Sequence, residues 1–273
     1  MAQQDIQLGF CSISALDRPL VDVAALAVRL GLAGVEVTAR KPHLDPEAGI
    51  DAARAAGRAV RSKGADVVAY GSYLGRFGQV THVHAEREAA LAAALEAPLL
   101  RVWAEPMADA PNDLAPVAAL MQTACDAAKD DGITVVIERH IGSFADTPER
   151  IVRLLDAIDR PNVALNYQVL DFLPAAQVAA QADDAARLAP LALYFHLKNY
   201  QPNETAGAPL LPGGSLADGE LDYRAILGAA LEAGYAGPLT IEFLAADARP
   251  VEEKLAADVA YVRSVLAELG RRG

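Results

Sequence analysis

Apolar runs of four to eight residues alternate with longer amphipathic stretches from one end of the chain to the other, a pattern that predicts eight strand-plus-helix units. The expected strands are 7–12, 34–38, 66–71, 99–103, 134–138, 163–168, 192–197 and 239–243. Each is apolar or β-branched enough to be buried on both faces, as the strands of a parallel sheet are. Between them, VDVAALAVRL, AEREAALAAALEA, LAPVAALMQTACDAAKDD, TPERIVRLLDAI and LDYRAILGAALEAGY repeat apolar residues at the period of a helix with one buried face. Two helix starts are marked locally. Asp146 or Thr147 precedes Pro148 and Glu149, and Asp45 precedes Pro46 and Glu47. Each gives a cap, a proline where its missing N–H costs nothing, and an acid at the positive end of the helix dipole.

Eight such units in 273 residues match a (β/α)8 TIM barrel, an α/β fold forming one domain over residues 1–273. An open doubly wound sheet would use fewer strands and a glycine-rich phosphate loop after the first, which GFCSIS lacks. No Gly/Ser/Pro-rich linker divides the chain. The longest irregular stretch, 199–219, follows the seventh strand on the face where barrel loops build active sites, and is expected to act as a lid.

Composition narrows the partners. A net charge of −12, a sequence pI near 4.8 and no basic stripe argue against nucleic acid, whose phosphates such a surface repels. Cys11 and Cys125 have neither metal-ligand spacing nor a disulfide framework, so they are expected to be reduced packing residues. MAQQDIQLGF is unlike a signal peptide, and no run of about 18 apolar residues occurs, so a cytoplasmic protein without a membrane partner is expected. The expected partner is a small sugar-like molecule; a homo-oligomer is compatible with the sequence.

Four strands in the second half end on groups that can share one cation: TVVIE on Glu138, VALNYQ on Gln168, LALYFH on His196 and LTIE on Glu242, at spacings of 30, 28 and 46 residues. In a barrel these ends meet at one mouth. A lone strand-end carboxylate is as readily an ordinary ion-pair partner, and a lone histidine is more often a satisfied core residue. The coincidence of four strand ends favours metal binding. Two carboxylates, an imidazole and an amide oxygen form a hard-to-borderline set suited to one Mn²⁺ or Mg²⁺, with Co²⁺ or Zn²⁺ able to substitute. Side-chain alternation puts Asn166, Tyr194 and Thr240 beneath these donors, where they can orient them. His140 and Lys198 share parity with Glu138 and His196 and should rise toward substrate oxygens. Arg101 and Trp103 share the fourth strand, the indole offering a flat apolar wall. Glu36, Tyr70 and Ser72 are expected on a polyol-binding rim.

With these residues in view, the chain resembles the xylose-isomerase-like TIM barrels of the sugar phosphate isomerase/epimerase group, relatives of the ketose 3-epimerases and hydroxypyruvate isomerase. The resemblance covers nearly the full length. It is carried by VEV at Glu36, AYGSYLG, LLRVWAEP, IERHIGSFADTPERIVRLL, FHLKNY and DGELDYRAILGAALEAGYAGPLTIEF. It implies one divalent metal on Glu138, Gln168, His196 and Glu242, with Gln168 standing where the family usually has aspartate, and Asp171 as a substrate contact. The implied activity is isomerisation or epimerisation of a keto-sugar or related keto-polyol. Of Glu138 and Glu242, one removes a carbon-bound proton and the other returns one on the opposite face, through a metal-stabilised enediolate. Two alternatives stand beside it: a metal-dependent lyase of the 3-dehydroshikimate dehydratase type, and a non-catalytic sugar-binding barrel that has lost its aspartate at Gln168. The endonuclease IV group shares the barrel, but its sites resemble a far more histidine-rich, three-zinc arrangement than five histidines allow.

Overall fold

The computed structural model describes residues 6–172, 177–201 and 210–270. Eight parallel strands close into a barrel: β1 (Leu8–Cys11), β2 (Gly34–Thr38), β3 (Asp66–Gly71), β4 (Leu99–Val102), β5 (Thr134–Glu138), β6 (Val163–Tyr167), β7 (Ala192–Leu197) and β8 (Leu239–Ile241). Neighbours follow sequence order, and β8 closes on β1 with Leu8 beside Leu239 and Phe10 beside Ile241. The helices outside are α1 (Leu20–Arg29), α2 (Gly49–Arg61), α3 (His82–Leu95), α4 (Ala115–Ala128), α5 (Pro148–Ile158), α6 (Ala180–Leu188), α7 (Tyr223–Glu232) and α8 (Val251–Gly270). The chain is therefore a single-domain TIM barrel, as the alternation predicts.

Every expected strand is present, but four are shorter at the mouth. Trp103, Gln168 and Glu242 stand just beyond their strands, where the chain begins to turn into loops. Glu242 nevertheless stays on the ladder, its N–H donating to Leu197 O at 2.8 Å. Thr147, rather than Asp146, caps α5 by accepting from Arg150 N–H at 3.3 Å. Asp45 accepts from Glu47 N–H at 3.2 Å, but the turn it starts is a 3-10 turn (Pro46–Ala48) that leads into α2.

One apolar cluster fills the space between strands and helices; a second, smaller one of Ala69, Leu99, Val136 and Tyr194 plugs the barrel interior. Above that plug the interior turns polar. Glu36, Arg101, Asn166 and Thr240 are all buried. Gly71 makes the room: a Cβ there would lie 2.4 Å from Glu36 Oε1 and 2.7 Å from Arg101 Nη2. Such a layer is tolerated only because its charges are paired.

The stretch after β7 is more ordered at its base than its composition suggests. Asn199–Tyr200 pairs antiparallel with Pro212–Gly214, while 202–209, part of the expected lid, lie outside the described residues. The buried Asn199 amide donates to Leu216 O and Leu221 O at 3.3 and 3.2 Å and accepts from Leu221 N–H at 3.0 Å. Asp258 of α8 accepts from Leu216 N–H at 2.9 Å. Among the described residues, no helix is long and apolar enough to cross a membrane.

Candidate active site

Glu138, His196 and Glu242 converge at the barrel mouth, all buried, each offering one donor atom within 4.8 Å of the others. Gln168 completes the group. Its Nε2 donates both to Glu138 Oε1 at 2.7 Å and to Arg139 O at 2.8 Å, leaving Oε1 buried without a hydrogen-bond partner. Glu242 Oε2 likewise accepts no hydrogen bond, lying 3.7 Å from His196 Nδ1 and 3.9 Å from Lys198 Nζ. Burial raises the Glu138 carboxyl above the ordinary glutamate range, with the Arg101 guanidinium opposing and Glu242 adding to the rise.

The deepest charge in the site is Glu36, and its placement corrects the expectation of a rim residue. It is fully buried beneath the mouth, accepting from His196 Nε2–H at 2.6 Å and from the Tyr194 hydroxyl at 2.9 Å, and pairing with Arg101 Nη2 at 3.3 Å. Burial alone would raise its carboxyl; His196 and Arg101 outweigh that and bring it down to about 2. An ionised carboxylate only accepts, so Nε2 carries the imidazole proton and Nδ1 is the nitrogen turned toward Glu242. Burial disfavours charge on His196, yet Glu36 and Glu242 make the ring more basic than usual. A second proton on Nδ1 and a cation would compete for the same lone pair.

Arg101, expected as a substrate contact, is buried between Glu36 and Glu138, its Nε 3.1 Å from Glu138 Oε2. Tyr70 does not reach the mouth. It points outward from β3, its hydroxyl donating to the buried Glu88 of α3 at 2.6 Å, because its neighbour Gly71 takes the inward position. Ser72 is buried as well, bonded to Arg101 O at 2.7 Å. Parity along β2 and β3 is complicated by a register shift between Val35 and Glu36.

The remaining expected residues meet at the mouth. Lys198 Nζ lies 3.0 Å from Asp171 Oδ2, and His140 Nε2 is 3.9 Å from the same carboxylate. Burial works against the Lys198 ammonium, but Asp171 and Glu242 hold it protonated, above the usual lysine range. His140 packs edge-on against Trp103, with centroids 4.7 Å apart. Burial lowers its basicity. Sequence reasoning missed Arg76, whose guanidinium covers the Trp103 ring at 4.0 Å, pairs with Glu105 at 3.1 Å and approaches His140 at 3.5 Å. The GRFG turn that carries it held no signal of its own.

Comparison with known proteins places this barrel. The sequence matches the xylose isomerase-like TIM barrel family over residues 24–265. The chain belongs to that family. Among solved structures it is similar to a xylose isomerase-like TIM barrel protein from Mycobacterium smegmatis in complex with magnesium, with 17% identity, 97% of each chain covered and a TM-score of 0.69. It is also similar to the probable 3-DHS dehydratase from Bacillus anthracis, with 18% identity, 94% of this chain and 99% of that one covered and a TM-score of 0.70. A third is the D-allulose 3-epimerase from Methylomonas sp., with 14% identity, 96% and 99% covered and a TM-score of 0.69. At these identities the likeness speaks for the fold alone. No curated protein sequence matches the chain.

Within this xylose isomerase-like barrel, the donor set fits a divalent cation by two independent measures. Ligand atoms about 2.1 Å from an ion sit about 3.0 Å apart when adjacent and about 4.2 Å apart when opposite, so donors within 4.8 Å of one another draw together to share one ion. The buried charges also fall short of balance. Four carboxylates (Glu36, Glu138, Asp171, Glu242) face two fixed cations (Arg101, Lys198) and the basic His196 ring, leaving one negative charge with that ring protonated and two with it neutral. Buried charge of that size calls for a partner.

Proposed function

We propose that the chain is a divalent-metal-dependent isomerase or epimerase of a keto-sugar or related keto-polyol, a small neutral molecule suited to an acidic protein. The observation that carries this reading is the pair of buried carboxylates, Glu138 and Glu242, brought from strands three apart in the ring into one cluster with His196. Mn²⁺ or Mg²⁺ held by Glu138, Gln168 Oε1, His196 Nδ1 and Glu242 would supply Lewis acidity toward a carbonyl and its neighbouring hydroxyl. The protein's own groups do the rest. One carboxylate takes the proton from the carbon beside the carbonyl, and the other returns a proton to the opposite face. Lys198, held by Asp171, and His140 bind and orient the substrate oxygens, with His140 braced by the buried Trp103 ring.

A lyase is the second reading, favoured by one contact: the Lys198 ammonium, 3.9 Å from Glu242, sets an acid beside a base, as loss of a β-hydroxyl requires. The two readings part in D₂O. Incubation of a keto-sugar panel with protein and Mn²⁺ should place deuterium on a carbon α to the carbonyl, with no near-ultraviolet chromophore. Glu138→Gln and Glu242→Gln should each abolish the exchange. A growing enone absorbance would assign the lyase; metal-independent behaviour with no exchange would leave a binding protein.

A further inference from the structure

Phe77 is 71% exposed, and its backbone is held in the left-handed region at φ +50°. Left-handed backbone is disfavoured for a bulky side chain and persists where the surrounding structure fixes it, so the turn itself sets how the Phe77 ring is presented. That presentation is not the swing of a loose loop. Gly75 N–H donates to Gln79 O at 2.8 Å, Arg76 N–H to Tyr73 O and Gln79 N–H to Arg76 O each at 3.0 Å. The turn is fastened to the exit of β4 by Trp103 N–H on Leu74 O at 2.8 Å and Glu105 N–H on Gly75 O at 3.2 Å. A Cβ on Gly75 would fall 1.8 Å from Trp103 O, so only glycine lets the turn lie this close.

From that turn, rings step inward. Phe77 meets Tyr73 at 5.5 Å, Tyr73 lies parallel to Trp103 at 6.3 Å, and Trp103 meets His140 at 4.7 Å. The Arg76 guanidinium packs on both Phe77, at 4.6 Å, and Trp103, at 4.0 Å, and Glu105 holds it there. Trp103 is thereby nearly covered, at 8% exposed, while Phe77 and the half-buried Tyr73 keep free surface. The result is an aromatic ledge that starts in solvent and ends at His140, whose Nε2 lies 3.9 Å from Asp171 at the mouth.

We infer that this ledge is a subsite for a planar apolar group, so that the substrate is a sugar or polyol carrying an aryl-like substituent. The inference rests on the proposed placement of the reacting carbon at Glu138 and Glu242. Continuity of the rings with that site, and the flat stacking surface they offer, favour a small-molecule substituent over a partner protein.

Trp103 is the only tryptophan in the chain, so its fluorescence reports on the ledge directly. Phenyl and methyl glucosides, neither of which can enolise, are titrated against metal-free and Mn²⁺-loaded protein. Phenyl glucoside should perturb the emission with a half-saturation at least tenfold lower than methyl glucoside, equivalent to about 1.4 kcal/mol. Phe77→Ala, a surface change, should erase the difference and leave the methyl glucoside response in place. Equal half-saturations, a stronger response to cellobiose than to phenyl glucoside, or a preference that survives Phe77→Ala would each overturn the inference. So would a Phe77→Ala variant that changes only the oligomeric mass, which would assign the ring to contact between copies. An aryl preference that persists while Mn²⁺ fails to bind would sink the metal reading and spare this one.

Discussion

A carboxylate with no access to water is expensive to hold, and Glu36 is held by three donors at once: His196, Tyr194 and Arg101. Its bond to Nε2 fixes which nitrogen of His196 faces the cluster, a role usually worth 10- to 100-fold in metal affinity. Glu36→Gln should therefore weaken Mn²⁺ binding by about that factor in calorimetric titration; unchanged affinity would show that the contact merely packs the barrel. Gln168 invites the opposite change. Gln168→Asp removes donors to Glu138 and Arg139 O and brings a third negative charge to the cluster. The metal-free variant should lose about 1–3 kcal/mol of stability, with tighter metal binding as compensation, measurable by urea unfolding with and without Mn²⁺. At this scale the sequence was legible where side-chain parity sufficed, as for Glu138, His196 and Glu242. It was not legible where depth mattered. VEV names a carboxylate on β2 without saying that Gly71 opposite leaves a hole for it, and Tyr70 reads as a mouth residue until its outward partner Glu88 is seen.

Among the elements, the base of the stretch after β7 is tied to α8 by a titrating contact, Leu216 N–H on Asp258. Burial raises the Asp258 carboxyl to about 6, while the Leu216 N–H it accepts from opposes that rise. An unfolded aspartate titrates near about 3.9, so between about pH 4 and 6 the folded chain keeps a proton that the unfolded chain releases. Stability contributed by that proton is present below about pH 4 and is lost as pH climbs through 6. Asp258→Asn, which cannot ionise, should match the parent at pH 4 and exceed it by about 1–3 kcal/mol at pH 7 in denaturant titrations. A variant less stable at pH 7 would show that the charged form is the one the fold uses. The element pattern itself was readable because each strand is doubly buried and each helix half-buried, which writes two distinct periods into the chain. The small ladder of Asn199–Tyr200 with Pro212–Gly214 was not, since one segment is two residues long and the other is PGG, and the Asn199 side chain braces the chain just beyond the ladder, at Leu216 O and Leu221 O.

For the whole molecule, closure of eight strands is what makes the chemistry possible. Groups separated by up to 104 residues, Glu138 and Glu242, are brought into one 4.8 Å cluster because both lie at the C-terminal ends of strands in a ring. The same closure gathers four carboxylates, Glu36, Glu138, Asp171 and Glu242, against Arg101, Lys198 and His196 in one buried space. The measurement that tests this most directly is titration of metal-free protein with Mn²⁺, following heat and thermal unfolding together. One ion per chain should bind, and a free concentration of 100 times Kd should raise stability by about 2.7 kcal/mol. Glu242→Gln should weaken both effects. No saturable binding, or binding that Glu138→Gln and Glu242→Gln leave untouched, would contradict the account.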